Sequence, residues 1–247
     1  MVRLSVNVNK VATLRNARGG SYPSVLDAVQ SCLRAGARGI TVHPRADERH
    51  ITRSDVLEIA ASLRPRADVE LNIEGDPRPD WLELVHAVHP AQATLVPVRP
   101  GEITSEAGWH AGIDAHGMRE IVLQLKAAGV RVSLFVEPER AAIAWAAEVG
   151  ADRIELYTEP FARAFASGPG PAQSSFELYA AAARSAHELG LGVNAGHDLD
   201  LDNLRMFRAL PHLDEVSIGH ALIGRALFVG LDCVVREYLA CLRPGPD

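Results

Sequence analysis

Short segments in which apolar and polar residues alternate are interleaved with longer helical patterns along this chain. In four places a helical run ends in a glycine, and a β-rich segment follows within three residues. Glycine often ends a helix because it adopts the left-handed backbone conformation without a steric penalty. The glycines that mark these junctions between helix and strand are Gly36, Gly129, Gly150 and Gly190.

The whole pattern predicts eight strands, each followed by a helix. The strands are predicted near residues 4–9, 39–43, 69–73, 93–96, 131–135, 153–157, 192–195 and 215–218. The helices are predicted near residues 24–35, 54–63, 81–88, 117–128, 139–149, 174–188, 202–209 and 221–241. Eight such units in 247 residues favour a parallel sheet that closes on itself. We therefore predict a single (β/α)8 TIM barrel domain over residues 1–247, with extended loops after strands 1, 4 and 6 at residues 16–22, 98–116 and 158–173.

The interior of this barrel is predicted to be polar. In strand 1, Ser5, Asn7 and Asn9 share one face, and the opposite, apolar face must pack on the helices. The same alternation places further polar side chains inside the barrel: Thr41, His43, Glu70, Asn72, Glu74, Glu155, Tyr157 and Asn194. Aliphatic residues normally fill barrel interiors, and burial of an unpaired carboxylate is costly. The pattern favours a ligand site, with a structural hydrogen-bond network as the alternative.

Composition narrows the possible functions. The chain is 47% hydrophobic and 23% charged, which excludes a disordered protein, and its net charge of −6 argues against a nucleic-acid partner. No apolar run approaches 18 residues, so we expect no membrane span and no membrane partner. Strand-like alternation begins at the N-terminus, which predicts no signal peptide. The three cysteines lack ligand spacing and are interpreted as reduced thiols in the cytoplasm.

Candidate anion-binding groups follow several predicted strands. Asn194-Ala195-Gly196-His197 and Ser217-Ile218-Gly219-His220 carry a glycine before a helix, where backbone N–H groups bind anions. The loops after strands 7 and 8 are also the usual phosphate site of this fold. Arginine adds a second kind of ligand, because its guanidinium matches phosphate with two donors. The arginines in loops 1 and 2 are Arg15, Arg18, Arg45 and Arg49, and together these groups predict more than one phosphate site.

Two further features keep alternatives open. Lys10 lies at the predicted mouth of strand 1, where a desolvated lysine forms a Schiff base with a carbonyl substrate. The alternative is a solvated or phosphate-facing lysine, and alternation points Lys10 away from the face of Asn7. His86 and His89 have a spacing that suits a metal, but no third ligand is nearby, so we predict no metal site.

The motifs at these positions resemble those of the pyridoxine 5′-phosphate synthase family. In chain order they are VNKVATLRNARG (8–19), GITVHPR (39–45), RHIT (49–52), NIE (72–74), LVP (95–97), VNAGH (193–197) and IGHALIGR (218–225). The resemblance extends from residue 4 to about residue 230. It implies a TIM-barrel enzyme without metal or organic cofactor. Such an enzyme condenses 1-deoxy-D-xylulose 5-phosphate with 3-amino-2-oxopropyl phosphate to pyridoxine 5′-phosphate, phosphate and water.

The resemblance also implies roles for individual residues. His43 and Glu74 match bases, His197 matches a proton donor, and Glu155 matches a residue that stabilises charge in the transition state. The residues that match ligands of the amino-ketone phosphate are Asn7, Arg18, Gly219 and His220. The residues that match ligands of the deoxyxylulose phosphate are Asn9, Arg45, His50 and Thr104. The implied assembly is a homo-octamer built from dimers, and the last helix, from Leu227 to Leu242, is a candidate interface.

The chain departs from the family pattern at two places. Many members have Asp-His where Asn9-Lys10 stands, and glycine where Asp198 stands. We count Asp198 among the predicted substrate-binding residues, although its charge is unfavourable beside a phosphate unless it is paired or turned away. Glu70 competes with Glu74 as the base, and Glu74 is preferred because it ends its strand. The alternative functions are a Schiff-base aldolase on a phosphosugar through Lys10 and a non-catalytic phosphate-ligand-binding barrel.

Overall fold

The barrel is closed by eight parallel strands. A computed structural model describes residues 2–98 and 107–243 of the chain. The strands pair in sequence order and β8 pairs with β1, which confirms the predicted TIM barrel. The strands are β1 (Arg3–Asn7), β2 (Gly39–Val42), β3 (Glu70–Gly75), β4 (Gln92–Leu95), β5 (Arg131–Val136), β6 (Arg153–Tyr157), β7 (Gly192–Gly196) and β8 (Leu213–Ile218).

Helices surround the barrel and cover the apolar outer face of its strands. Their bounds are α1 (Asn9–Asn16), α2 (Val25–Ala35), α3 (Arg53–Leu63), α4 (Pro79–Val88), α5 (Ala115–Ala127), α6 (Arg140–Glu148), α7 (Glu159–Ala166), α8 (Pro169–Glu188), α9 (Leu204–Phe207), α10 (His220–Val229) and α11 (Leu231–Cys241). Val6, Ile40 and Ile73 are fully buried between the strands and these helices. Across the described ranges, no helix has the length and apolar character that a membrane span requires.

Local sequence signals explain where several helices begin and end. Ser24 caps α2 by accepting a hydrogen bond from the N–H of Asp27, and Gly36 ends that helix in the left-handed conformation at φ 112°. At α3, Thr52 and Asp55 form a capping box in which each side chain accepts from the backbone N–H of the other. These caps satisfy N–H groups that would otherwise lack partners, so they fix the ends of the helices against the barrel.

Three predicted element boundaries were wrong. β1 ends at Asn7 rather than continuing to residue 9, because the Asn7 side chain accepts the N–H of Asn9 and the chain turns directly into α1. The segment at 158–173, predicted as a loop, forms α7 and the first turn of α8. Its prolines occupy the first turns of these helices, where proline is favoured. The predicted helix at 221–241 divides at Gly230, whose φ is 88°.

The inside of the barrel is polar in layers. At the amino ends of the strands, Arg3 and Arg131 form ion pairs with Glu70, and Arg3 is also paired with Glu215. A chain of hydrogen bonds above them links Ser5 to Thr41, Thr41 to Asn72 and Asn72 to Thr94. The structural network considered as an alternative to a ligand site is therefore present in the lower two layers. The carboxyl ends of the strands carry a third polar layer, which lines a cavity.

Candidate active site

A cavity of about 400 Å³ opens at the carboxyl ends of the strands. Its lining residues come from β1, β3, β5, β6 and β8 and from the segments that follow β1, β2, β4, β7 and β8. The lining residues are Asn7, Asn9, Lys10, His43, Arg45, His50, Glu74, Val96, Phe135, Glu155, His197, Asp198, Ser217, Gly219 and His220. Polar groups from distant parts of the sequence thus meet at one opening, as the alternation of the strands predicts.

His43 and Glu74 form a buried acid–base pair in the cavity. Nδ1 of His43 lies 3.7 Å from Oε2 of Glu74, and the same oxygen accepts a hydrogen bond of 3.4 Å from the Asn7 side chain. Burial raises the pKa of Glu74 to about 8. Burial also lowers the pKa of His43 well below its usual value, and electrostatic interactions with His50 and Arg45 add to this effect. Near neutral pH the pair therefore consists of a protonated carboxyl group and a neutral imidazole.

Glu155 contributes a second carboxyl group with a perturbed pKa. Its pKa is raised well above the usual value, first by burial and then by the charges of Glu74 and Glu215. Among the described residues, Oε2 of Glu155 and Nε2 of His43 are buried side-chain atoms without a hydrogen-bond partner. Because such atoms are rare in folded proteins, these two are candidates to contact a bound substrate.

A cationic side of the cavity is formed by Arg45, His50 and Lys10. Arg45 is buried although it carries a charge. Nδ1 of His50 accepts the backbone N–H of Ile51 at 2.9 Å, which leaves the ring proton on Nε2 as a donor. Burial, and then the positive charges of Arg45 and Lys10, lower the pKa of His50 to about 4. His50 is therefore a neutral hydrogen-bond donor beside two cations, an arrangement that suits a phosphate group.

The start of α10 forms the other anion-binding edge. Gly219 precedes this helix and lies so close to β1 that a Cβ there would be 3.1 Å from the Asn7 side chain. His220 begins the helix, and the N–H groups of its first turn are free of intrahelical partners. A second close approach occurs at Gly196, where a Cβ would lie 2.5 Å from Oε1 of Glu155. These glycines leave room for the Glu155 carboxyl group and for an anion at the helix terminus.

His197, directly after β7, also lines the cavity. Its ring meets Tyr157 edge-on at 5.4 Å and lies 6.4 Å from the ring of Phe135. Nδ1 of His197 is 2.5 Å from a carboxylate oxygen of Asp198. The His197 imidazole thus packs against two aromatic rings and hydrogen-bonds to Asp198, and these contacts hold it at the cavity.

The full sequence matches a known protein family and named relatives. A family model described as "Pyridoxal phosphate biosynthesis protein PdxJ" matches residues 4–244. The chain belongs to the PdxJ family. It is 52% identical to pyridoxine 5′-phosphate synthase of Bacteroides fragilis, over 98% of this chain and 100% of the relative. The enzyme of the same name from Xanthomonas oryzae pv. oryzae is 51% identical, over 98% of this chain and 96% of the relative. The resemblance drawn from the motifs is confirmed.

Solved structures of other enzymes share the fold alone. A tryptophan synthase structure from M. tuberculosis gives a TM-score of 0.65 at 12% identity, and covers 98% of this chain and 94% of that chain. Thiamine phosphate pyrophosphorylase from Pyrococcus furiosus gives a TM-score of 0.63 at 15% identity, and covers 98% of this chain and 95% of that chain. These barrels agree with the architecture, and at this identity they carry no information about the chemistry of the cavity in this PdxJ-family member.

The structure places nearly all of the predicted site residues at the cavity. The exceptions are Arg18, which is exposed in the turn after α1 and does not line the cavity, and Thr104, which lies outside the described residues. The residues that do line it are His43, Glu74, His197, Glu155, Asn7, Asn9, Arg45, His50, Asp198, Gly219 and His220. Asn9 also has a structural contact, because its side-chain oxygen accepts the backbone N–H of His43 at 2.9 Å.

Besides Arg18, two more arginines from the predicted anion-binding groups do not line the cavity. Arg15 forms a two-pronged ion pair with Asp55 and donates to the backbone oxygen of His50. It therefore holds α1 against the start of α3. Arg49 is paired with Asp47 at the surface. The sequence pattern shows where arginines occur, but it does not show which carboxylates are close enough to bind them.

Glu70 and Lys10 are also placed by the structure. Glu70 is bound by Arg3 and Arg131 at the opposite end of the barrel, so Glu74 is the glutamate of β3 that reaches the cavity. Lys10 lines the cavity from the first turn of α1. The expectation that it points away from the Asn7 face was wrong, because alternation applies only within a strand and β1 has already ended.

Three cavity residues were not predicted as site residues. Phe135 ends the alternating face of β5, Val96 directly follows β4, and Ser217 lies two residues before Gly219 on the inner face of β8. Alternation extended to β5 and β8 would have found Phe135 and Ser217. Within residues 2–98 and 107–243, no three histidine, cysteine or acidic side chains converge as metal ligands.

Proposed function

We propose that this chain is a pyridoxine 5′-phosphate synthase, which condenses 1-deoxy-D-xylulose 5-phosphate with 3-amino-2-oxopropyl phosphate. The observation that carries the proposal is the convergence of perturbed acid–base groups and two anion-binding edges in one cavity. The names of the relatives from Bacteroides fragilis and Porphyromonas gingivalis, both 52% identical, support the same reaction.

Each anion-binding edge is assigned to one substrate. The start of α10, with Gly219 and His220, would hold the phosphate of the amino ketone, as helix N-termini hold phosphates elsewhere. Arg45 and His50 would hold the phosphate of the deoxyxylulose substrate, with Lys10 as a further cation on the same side. This arrangement directs the reacting amine and ketone toward the space between the edges, where the acid–base groups lie.

The chemistry requires repeated proton transfers, because an amine must join a ketone, water must leave and an aromatic ring must close. Neutral His43 accepts a proton, and Glu74 can donate one and take one back. A carboxylate with a raised pKa is a stronger base than an ordinary glutamate and works close to neutral pH. Glu155, kept protonated by its surroundings, stabilises negative charge on the substrate by hydrogen bonding. His197 delivers a proton to the departing hydroxyl group.

The proposal is tested by incubating the purified protein with both phosphorylated substrates. We expect the pyridinol chromophore and inorganic phosphate to appear together, and neither to appear when one substrate is omitted. A parallel sample is treated with borohydride to separate the synthase from the aldolase. A covalent adduct on Lys10, without the chromophore, would favour the Schiff-base aldolase. Binding of both substrates without any product would favour the non-catalytic barrel.

The proposal includes a cellular compartment and an oligomeric state for the enzyme. We place it in the cytoplasm, and its three unpaired cysteines, Cys32, Cys233 and Cys241, are consistent with a reducing compartment. We also propose a homo-oligomer. Leu227 and Phe228 near the end of α10 are 69% and 88% exposed, and such apolar residues commonly lie in subunit contacts. Light scattering on the purified protein tests this assembly, for which a monomer would be the contrary result.

A further inference from the structure

We propose that Asp198 is a positioning residue that holds His197 in one orientation and one tautomer. The inference rests on the proposed function, in which His197 supplies the proton for the loss of water. Asp198 matches a predicted substrate-binding position, but its carboxylate is directed at its neighbour. Oδ2 of Asp198 lies 2.5 Å from Nδ1 of His197.

This contact decides which ring nitrogen carries the proton. An ionised carboxylate offers only acceptor atoms, so the Nδ1 of His197 must be the donor. The other nitrogen, Nε2, is then the atom that exchanges protons with the substrate. In the proposed reaction Nε2 accepts a proton in one step and gives it to a departing hydroxyl group in a later step, so that the hydroxyl leaves as water. The same division of labour between a carboxylate and an imidazole operates in Ser-His-Asp triads.

His197 has an unfavourable backbone conformation, and its ring needs a polar partner to fix one tautomer. The φ angle of His197 is 103°, in a region that residues with a Cβ rarely adopt. Tyr157 and Phe135 contact the ring, but apolar rings cannot distinguish one nitrogen of an imidazole from the other. Asp198 is the described partner that makes this distinction, since it hydrogen-bonds to only one nitrogen.

Buried residues hold Asp198 itself in place. Its backbone N–H donates to Oγ1 of Thr158 at 3.3 Å, and its backbone oxygen accepts from the Asn203 side chain at 3.1 Å. Thr158 and Asn203 are 0% and 2% exposed. Thr158 also donates to the backbone oxygen of Gly196, which ties the turn to the end of β7. The carboxylate is therefore set by a rigid turn before a substrate arrives.

Pairing with His197 also explains why a negative charge is tolerated at this site. An unpaired carboxylate would repel the phosphate groups of both proposed substrates. The glycine that the resemblance leads us to expect in many family members has no side chain that could accept from Nδ1. The inference thus concerns a residue in which this chain departs from the usual pattern.

The experiment compares the wild-type protein with Asp198→Asn and Asp198→Ala. Asp202→Asn is the matched control, because it removes an exposed carboxylate from the same segment. Side-chain ¹⁵N spectra of histidine-labelled protein, recorded above pH 8 without substrate, report the tautomer of His197. The His197 signal is assigned by its loss in His197→Gln. We expect a proton on Nδ1 in the wild-type protein and a mixture of tautomers or a proton on Nε2 in Asp198→Ala.

Steady-state kinetics provide the second readout. We expect kcat to fall about 10- to 100-fold in Asp198→Ala, as when partners that orient a functional histidine are removed. The KM for each substrate should stay within about twofold, and Asp202→Asn should match the wild type. An unchanged tautomer in Asp198→Ala would overturn the inference. So would a raised KM with normal kcat, which would make Asp198 a substrate ligand. Absence of product from the wild type would reject the proposed function, while the spectra would still decide the role of Asp198.

Discussion

Nδ1 of His43 lies 3.7 Å from Oε2 of Glu74, and only 7% and 11% of the two side chains are exposed. His43 directly follows β2, and Glu74 lies on the adjacent strand β3. Burial lowers the pKa of His43 well below its usual value and raises the pKa of Glu74 to about 8, so the usual order of the two pKa values is reversed. Transfer of a proton from the neutral carboxyl group to the neutral imidazole would create two buried charges, so burial favours the neutral pair, in which one group can donate a proton and the other can accept one. This relationship is the part of the cavity most directly suited to acid–base catalysis.

Glu74→Gln is expected to lose most turnover and keep its affinity for substrate phosphate. The amide has nearly the same shape as the protonated carboxyl group, but it cannot accept or release a proton. General acid–base groups typically contribute a factor of about 10² to 10⁴, so we expect kcat to fall at least about 100-fold. Calorimetry with 1-deoxy-D-xylulose 5-phosphate should give a Kd within about threefold of the wild type.

The control for this variant is Glu83→Gln, which removes an exposed carboxylate from α4 and should leave kcat unchanged. Turnover close to that of the wild type in Glu74→Gln would reject Glu74 as the base. Loss of binding together with turnover would assign Glu74 to substrate binding instead.

The same variant should change the pH dependence of stability. The pKa of Glu74 is raised in the folded state from an ordinary value of 4.5 to about 8. The unfolded chain therefore releases this proton at lower pH than the folded protein. The stabilising contribution of the group is present below pH 4.5 and is lost as the pH rises to about 8. Glutamine does not titrate, so Glu74→Gln avoids this loss.

Chemical denaturation at pH 5 and pH 8.5 measures the effect. At about 1.4 kcal/mol per pH unit, the free energy of unfolding of Glu74→Gln should rise by roughly 4 kcal/mol relative to that of the wild type between these two pH values. Buried catalytic groups commonly reduce stability in this way. An equal pH dependence in both proteins would mean that Glu74 is already ionised in the folded state at pH 5.

Much of the fold follows from the sequence because its signals are local. A glycine after each of several helices and the alternation in each strand suffice to identify the barrel and its polar interior. The errors occur where a local signal has two meanings. Asn9 continues the alternation of β1 but begins α1, and the prolines after residue 158 look like loop residues but begin helices. Only the contacts around them decide between these outcomes.

The site is predicted less completely, because its details depend on contacts between distant residues. The motifs locate His43, Glu74 and His197, but they do not show that Arg15 is bound by Asp55. They also do not show that the Asp198 carboxylate contacts His197. In both cases the residue type suggests an interaction with substrate, and a protein partner competes for the same side chain. Charge alone cannot settle such a competition.

Arg15→Met is expected to destabilise the protein rather than weaken phosphate binding. The guanidinium of Arg15 and the carboxylate of Asp55 are mostly buried, with 13% and 10% of their side chains exposed. Removal of one partner leaves the other charge poorly compensated, and we expect a loss of about 2–4 kcal/mol in the free energy of unfolding. Urea denaturation of Arg15→Met, Asp55→Asn and the double variant measures the coupling between them.

Arg53→Met is the matched control, since Arg53 forms an exposed ion pair with Glu83 and should have a much smaller effect. The double variant should be less destabilised than the sum of the single variants. Unchanged stability of Arg15→Met with a raised KM for either substrate would show that Arg15 binds phosphate.

Gly196→Ala and Gly219→Ala should differ in severity, because their added methyl groups meet different neighbours. A Cβ at Gly196 would lie 2.5 Å from Oε1 of Glu155 and 2.9 Å from the backbone oxygen of Ser217. The carboxyl group must move, so we expect kcat to fall at least about tenfold. A Cβ at Gly219 would lie 3.1 Å from the Asn7 side chain, which can shift by a few tenths of an ångström. Here we expect a KM for the amino-ketone phosphate that is raised about three- to tenfold, with kcat little changed.

Gly224→Ala in the same motif serves as the control, because a Cβ there meets nothing within 4 Å, and its kinetics should equal those of the wild type. Equal kinetics for all three variants would mean that neither glycine is needed for the shape of the cavity.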